Sequence, residues 1–298
     1  HGDSLLGVTE RQLEMFSMDT SGQSEALLLP WVPEYVGKVR DLRQQIARIP
    51  SHDPEAIRRK QRLFDQVREL EKPLKFAADA LVACELSEGT VAERALRQAN
   101  IMTSLASPPQ GERLNSFRAD LVGVPTFHWH LEFPDVFSDG SGFNAIVGNP
   151  PFIGNKLWKA SIGEHAQKVA EIVIGGAVGK IDLCIVFHRK AVDLLSPNGA
   201  YGLIATSNIS EGSAIAVGLG HIVTLGSITA SRKSFPWPGQ AAVYVATVAF
   251  YKGSWLGPCL ADGVRCRAIG PRLDIIDDDF VEPVTLANCP FTFEGVHN

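Results

Sequence analysis

Apolar positions along the 298-residue chain fall into groups with helical spacing and groups with strand spacing. Tyr35, Val39, Leu42 and Ile46 recur at intervals of four, three and four, which places them on one face of a helix. Pro50-Ser51-His52-Asp53-Pro54 breaks that pattern, with Asp53 positioned as an N-cap ahead of Pro54. Leu63, Val67 and Leu70 then line one side of a second helix, so residues 30–72 read as an antiparallel helical hairpin. Residues 75–105 turn helical again, carrying Phe76, Leu81, Val82 and Leu86 and then Leu96 and Ile101. Ser107-Pro108-Pro109-Gln110-Gly111 closes the helical region as a loop.

Strand spacing takes over further along. Residues 143–147, Phe-Asn-Ala-Ile-Val, form a short apolar run between glycines and predict a buried strand. Gly148 ends it, and Asn149-Pro150-Pro151-Phe152 follows at once. Two prolines fix φ and remove two amide donors, so this segment can be neither helix nor central strand. It is predicted to be a stiff loop at the carboxyl edge of a strand, where open α/β sheets place their ligand sites. A helix is predicted over residues 181–195, with Ile185, Phe187, His188, Ala191 and Leu195 on its inner side. Ser196-Pro197-Asn198-Gly199 carries stop and turn chemistry, and residues 201–205 read as the next parallel strand. Residues 241–251, with Val243, Val245 and Val248, predict a strand in the far half of the sheet. Gly175, Gly176 and Gly179 lack the spacing of a phosphate-cradling loop and read as a flexible connection.

Composition narrows the class. With 45% hydrophobic and 20% charged residues, the chain has enough apolar material for a sizeable core. No apolar run approaches membrane-spanning length, so no membrane partner is expected. The five cysteines, Cys84, Cys184, Cys259, Cys266 and Cys289, are scattered without metal-ligand spacing, which suggests reduced thiols and a cytoplasmic protein. The formal net charge is −5, so any nucleic-acid contact must come from a local patch. Residues 37–73 hold ten Lys or Arg against six Asp or Glu, a balance that suits either a DNA backbone or an ordinary solvated face. His128 and His130 have no companions at metal-ligand spacing and read as packing or positioning residues.

The chemistry concentrates in the diproline loop. Asn149 offers a side-chain carbonyl, and the backbone around Pro150 is stiff because a residue before proline is held out of the α region. Two acceptors fixed side by side suit an NH2 group, which has two protons to give. Phe152 adds a flat apolar face for a planar amide or base.

Asn149-Pro150-Pro151-Phe152 after an apolar strand resembles the catalytic motif of S-adenosylmethionine-dependent amino-methyltransferases, most closely the adenine-specific DNA methyltransferases. The preceding stretch from Phe127 through His128, Trp129, His130, Leu131, Glu132, Phe133, Pro134, Asp135 and Val136 to Phe137 resembles the lead-in of large restriction-modification and phage-defence methyltransferases of the Eco57I, PglX and MmeI-like kind. The resemblance implies an α/β fold: a partial Rossmann-like S-adenosylmethionine-dependent methyltransferase sheet with an inserted helical hairpin. It implies that Asn149, Pro150, Pro151 and Phe152 are catalytic and that Asp3, in His1-Gly2-Asp3-Ser4-Leu5-Leu6-Gly7, binds the cofactor S-adenosylmethionine. Ser231 to Gln240, with Phe-Pro-Trp-Pro-Gly at its centre, resembles the family region across the pocket from the catalytic loop. Phe235 and Trp237 are both candidates there to sandwich a flipped base, and the sequence does not choose between them. Asp182 either borders the cleft or only favours a helix N-terminus.

The implied organisation is a cofactor-pocket segment over residues 1–23, a helical insertion over 24–115, a catalytic part over 116–256, and a linker over 257–298 toward a target-recognition domain. The family's glycine-rich cofactor loop is expected upstream of position 1, which implies an upstream polypeptide as partner beside double-stranded DNA. Methyl transfer to the exocyclic amine of a flipped adenine is the implied activity. A split or non-catalytic DNA-binding subunit of a defence complex, and a protein-glutamine or ribosomal-RNA guanine methyltransferase, are the alternatives.

Overall fold

The computed structural model describes residues 2–19, 28–50, 52–109, 126–238 and 243–276. Helices α1 (Trp31–Arg48) and α2 (Pro54–Leu86) are the hairpin expected from the apolar spacing. Asp53 caps α2 as predicted, its carboxylate accepting from the amides of Glu55 and Ala56. α2 does not stop near Lys72, however. It runs 33 residues, about 50 Å at 1.5 Å per residue, with Pro73 inside it. An interior proline costs a helix roughly 3 kcal/mol, but Val67, Leu74, Ala77, Ala78, Leu81 and Val82 stay buried along the same element. That burial outweighs the local penalty and carries the helix through. α3 (Val91–Ser104) follows, started by a Thr90–Glu93 capping box.

The helical part is wired to the rest through buried polar contacts. Arg43 and Lys75 both reach Glu71, a buried carboxylate, and Lys75 also meets Glu132 at 2.7 Å. Asp79 on α2 lies 3.0 Å from Nε2 of His128. The amide of Val8 donates to His128 Nδ1 at 3.2 Å, so Nδ1 carries no proton and Nε2–H donates to Asp79. His128 therefore ties the N-terminal segment, α2 and the lead-in together, and among the described residues no cluster of metal ligands forms.

Six strands make one mixed sheet in the order β1-β2-β4-β3-β5-β6. These are β1 (Phe143–Gly148), β2 (Leu195–Thr206), β3 (Ser227–Pro236), β4 (Tyr244–Tyr251), β5 (Cys259–Ala261) and β6 (Val264–Cys266). β1 and β2 are parallel, as read from the sequence, whereas β4 runs antiparallel to both β2 and β3. α4 (Ala166–Ile174) and α5 (Leu183–Leu194) lie between β1 and β2 in the chain. α5 covers one face of the sheet: His188 sits edge-on to Tyr201 of β2, which stacks on Phe250 of β4 at 5.2 Å. Together they form the core beneath the diproline loop.

Two local expectations are corrected. The strand read as buried is the sheet edge among the described residues, so Val147 is 87% exposed. Ser196 to Gly199 is a bulge at the start of β2 rather than a free turn, with Asn198 at φ 63°. Gly175 ends α4 in the left-handed region at φ 79°, and residues 176–180 form the connection read from the sequence. Phe235 belongs to strand β3, whereas Trp237 lies just beyond its end. Beyond Gly257, where the hydropathy pattern weakens, β5 and β6 extend the far edge of the sheet.

Candidate active site

β1 delivers the diproline loop at its carboxyl end. Gly142 lets the chain enter β1 against the junction of α5 and β2: a Cβ there would fall 2.6 Å from the Leu194 carbonyl oxygen. Past Gly148 the side chain of Asn149 is exposed, Pro150 is buried, Pro151 is exposed and Phe152 is half-buried. The prolines cannot donate, so the loop is braced downstream. The Ile153 amide donates to Asp182 Oδ1 at 3.1 Å, and the Ile153 carbonyl accepts from the Leu183 amide at 2.9 Å. Trp158 Nε1 donates to that same carbonyl at 2.7 Å. Asp182 also caps α5 through the Cys184 amide, the helix-terminus reading of this residue, and it is not among the residues lining the groove that runs along β1.

The structure brings Phe152 and Trp237 together. Their ring centroids are 6.1 Å apart with planes at 83°, although 85 positions separate them in the chain. The Trp237 amide bonds to the Val243 carbonyl, which holds the indole at the mouth of the β3–β4 hairpin. Phe235 is occupied elsewhere, its ring lying under the Arg232 guanidinium at 4.2 Å. Of the two aromatic candidates, only Trp237 packs against Phe152.

A groove of about 440 Å³ runs along β1 from Asn149, Pro150 and Pro151 to Ser4 and Trp129, with Phe187, Lys190 and Leu203 among its walls. That volume lies within the roughly 300–1,000 Å³ usual for small-molecule sites. Asp3 stands next to Ser4, forms a parallel bridge to Thr126, and accepts the Leu5 amide on Oδ1 at 2.9 Å. Trp129 Nε1 donates to the Ser4 carbonyl at 2.9 Å, so the lead-in fixes this end of the groove. Burial pushes the Lys190 ammonium below its usual pKa, opposed by the carboxylates of Asp193 and Asp3. His130, stacked on Phe137 at 4.0 Å, is pushed down to about 4 by burial and then by Lys190. The Cys184 thiol is pushed up, first by burial and then by the charge of Asp182, which disqualifies it as a nucleophile.

The diproline loop, its lead-in, Asp182 and β2 all fall within one homologous stretch. Residues 94–216 match the Eco57I restriction-modification methylase family. The matched residues, less than half of the chain, include the diproline loop; Asp3, Phe235 and Trp237 lie outside them. No curated protein matches the chain. Among solved structures, the type IIL restriction-modification enzyme MmeI, determined in complex with DNA, is 15% identical with a TM-score of 0.39. That comparison covers 85% of this chain and 40% of MmeI, so the chain spans less than half that enzyme's length. A Listeria monocytogenes protein described as a class I S-adenosylmethionine-dependent methyltransferase is 13% identical with a TM-score of 0.30, covering 84% of this chain and 87% of its own. Both overlaps are loose, and the likeness to Eco57I-type methylases rests on residues 94–216.

Ser4 and Lys190 are not singled out by the sequence, and Asp182 is singled out only as a cleft-bordering residue or a helix N-terminus. The spacing of Asp182 ahead of an apolar helix announces an N-cap, but its bond to Ile153 crosses 29 positions and leaves no local signal.

Proposed function

We propose that this protein methylates the exocyclic amino group of an adenine flipped out of double-stranded DNA, within a restriction-modification or phage-defence system. The observation that carries the reading is the loop itself: an exposed Asn149 carboxamide and a proline-stiffened carbonyl at the end of β1, with Phe152 and Trp237 packed beside them. An amine inside a duplex is engaged in pairing, so the base has to leave the stack to be reached. The Asn149 side chain and the Pro150 carbonyl accept its two hydrogens, which draws the nitrogen lone pair out of ring conjugation. Phe152 offers a stacking face and Trp237 closes the other side.

The groove between Asn149 and Ser4 suits S-adenosylmethionine: mostly apolar walls with Lys190 among them, Ser4 and Trp129 at one end and the diproline loop at the other. When bound, that cofactor supplies an electrophilic methyl group on sulfur. Asp3, Ser4 and Lys190 are the polar groups placed to hold it. The open edge of β1 supports a further partner, an upstream polypeptide carrying the glycine-rich cofactor loop and pairing its own strand there. Loop rigidity and orientation supply much of the acceleration, and no side-chain nucleophile is required.

Substrate competition tests this reading against its neighbours. With labelled S-adenosylmethionine and equal amounts of duplex DNA, ribosomal RNA and release-factor protein, label enters DNA. Label in RNA or in a glutamine side chain would overturn the assignment.

A further inference from the structure

We propose that Asp182 is a positioning residue for methyl transfer, acting on the substrate amine only through the loop that carries Asn149. This inference rests on the methyl-transfer reading above. A single carboxylate oxygen, Asp182 Oδ1, accepts two amides at 3.1 Å each: Cys184, in the first turn of α5, and Ile153, at the downstream end of the diproline loop. Capping alone needs only the first of these. The second fixes where the loop stands relative to α5, the helix that covers the sheet.

The surrounding backbone repeats the same connection. Gly154 and Asp182 form an antiparallel bridge, the Asn155 amide donates to the Ile181 carbonyl at 3.1 Å, and the Leu183 amide donates to Ile153. Between Gly148 and Ile153 the prolines leave the chain few donors of its own, so the loop's position is set by β1 at one end and by this brace at the other. A charged acceptor makes the stronger kind of hydrogen bond. Without it the half-buried Ile153 amide loses its partner. Asn149 is four residues upstream, joined through two stiff prolines that transmit a shift at Ile153 rather than absorb it. A displacement near 1 Å at a reacting group can cost about 100-fold in rate.

Three variants of the full chain separate the clamp from the cap. Asp182→Asn keeps an oxygen that can accept both amides. Asp182→Ser still caps α5, but its hydroxyl is one bond too short to hold Ile153 as well. Asp182→Ala does neither. The Asn variant is expected to retain kcat close to the parent. The Ser variant is expected to lose on the order of 100-fold in kcat, with its thermal midpoint and its KM for S-adenosylmethionine unchanged. Amide exchange in the segment 149–155 should speed up in the Ser and Ala variants and not in Asn. A Ser variant with parental kcat, or a loop whose exchange ignores the Ala substitution, overturns the role of Asp182. Exchange is read without any turnover, so a parent chain that fails to methylate DNA would count against the functional reading and leave the clamp to be judged on its own.

Discussion

Asn149 carries the most chemistry for the least structural cost. Its side chain is exposed at the end of an edge strand, so little packing depends on it. Asn149→Ala should therefore lower methyl transfer by at least about 100-fold, since an acceptor for the reacting amine is lost, while circular dichroism and the thermal midpoint stay at parental values. The aromatic pair makes a finer prediction. Base–aromatic stacking is worth about 1–3 kcal/mol per base, so Phe152→Ala or Trp237→Ala should weaken binding of DNA containing an extruded base roughly 10–100-fold. Phe235→Ala should change it far less, because that ring is spent on Arg232. Fluorescence titration with 2-aminopurine at the target position distinguishes the three. Equal losses for Phe235 and Trp237 would contradict the pairing.

At the scale of elements, what was legible in the sequence depended on how local its cause was. The helical hairpin and its Asp53 cap follow from spacing and from one side chain bonding amides two and three positions away. The diproline loop was legible because proline's constraint is covalent. The passage of α2 through Pro73 was not, since it is decided by burial against other parts of the chain. Likewise β1 has the composition of a buried strand, and only strand order reveals that one of its edges is open. The choice of Trp237 over Phe235 depends on a β-hairpin end meeting a loop 85 residues earlier, which no periodicity encodes. Gly175 tests a purely local term. It sits at φ 79°, and an added Cβ would meet no atom within 4 Å. Gly175→Ala should cost about 1 kcal/mol from backbone strain alone, measured by urea unfolding. A neutral result would mean that α4 can end another way.

For the molecule as a whole, buried His188 and half-buried His130 couple stability to pH. Burial holds His188 down to about 3, and burial together with Lys190 holds His130 down to about 4. In the unfolded chain both titrate near 6.5, so below that pH the unfolded state binds protons the folded state refuses. Their contribution is intact above about pH 6.5 and drains away as the pH falls toward 4 and then 3, at roughly 1.4 kcal/mol per pH unit for each. Urea midpoints should fall between pH 7 and pH 5, and His188→Phe should flatten that slope even if it shifts stability at pH 7. No helix among the described residues is long and apolar enough to cross a membrane. The central claim concerns which atom receives the methyl group. The protein, with and without the polypeptide encoded immediately upstream, is incubated with unmethylated duplex DNA and labelled S-adenosylmethionine, and the DNA is digested to nucleosides. The account predicts label in N6-methyladenine and none with Asn149→Ala; label in cytosine, or label that survives the substitution, would contradict it.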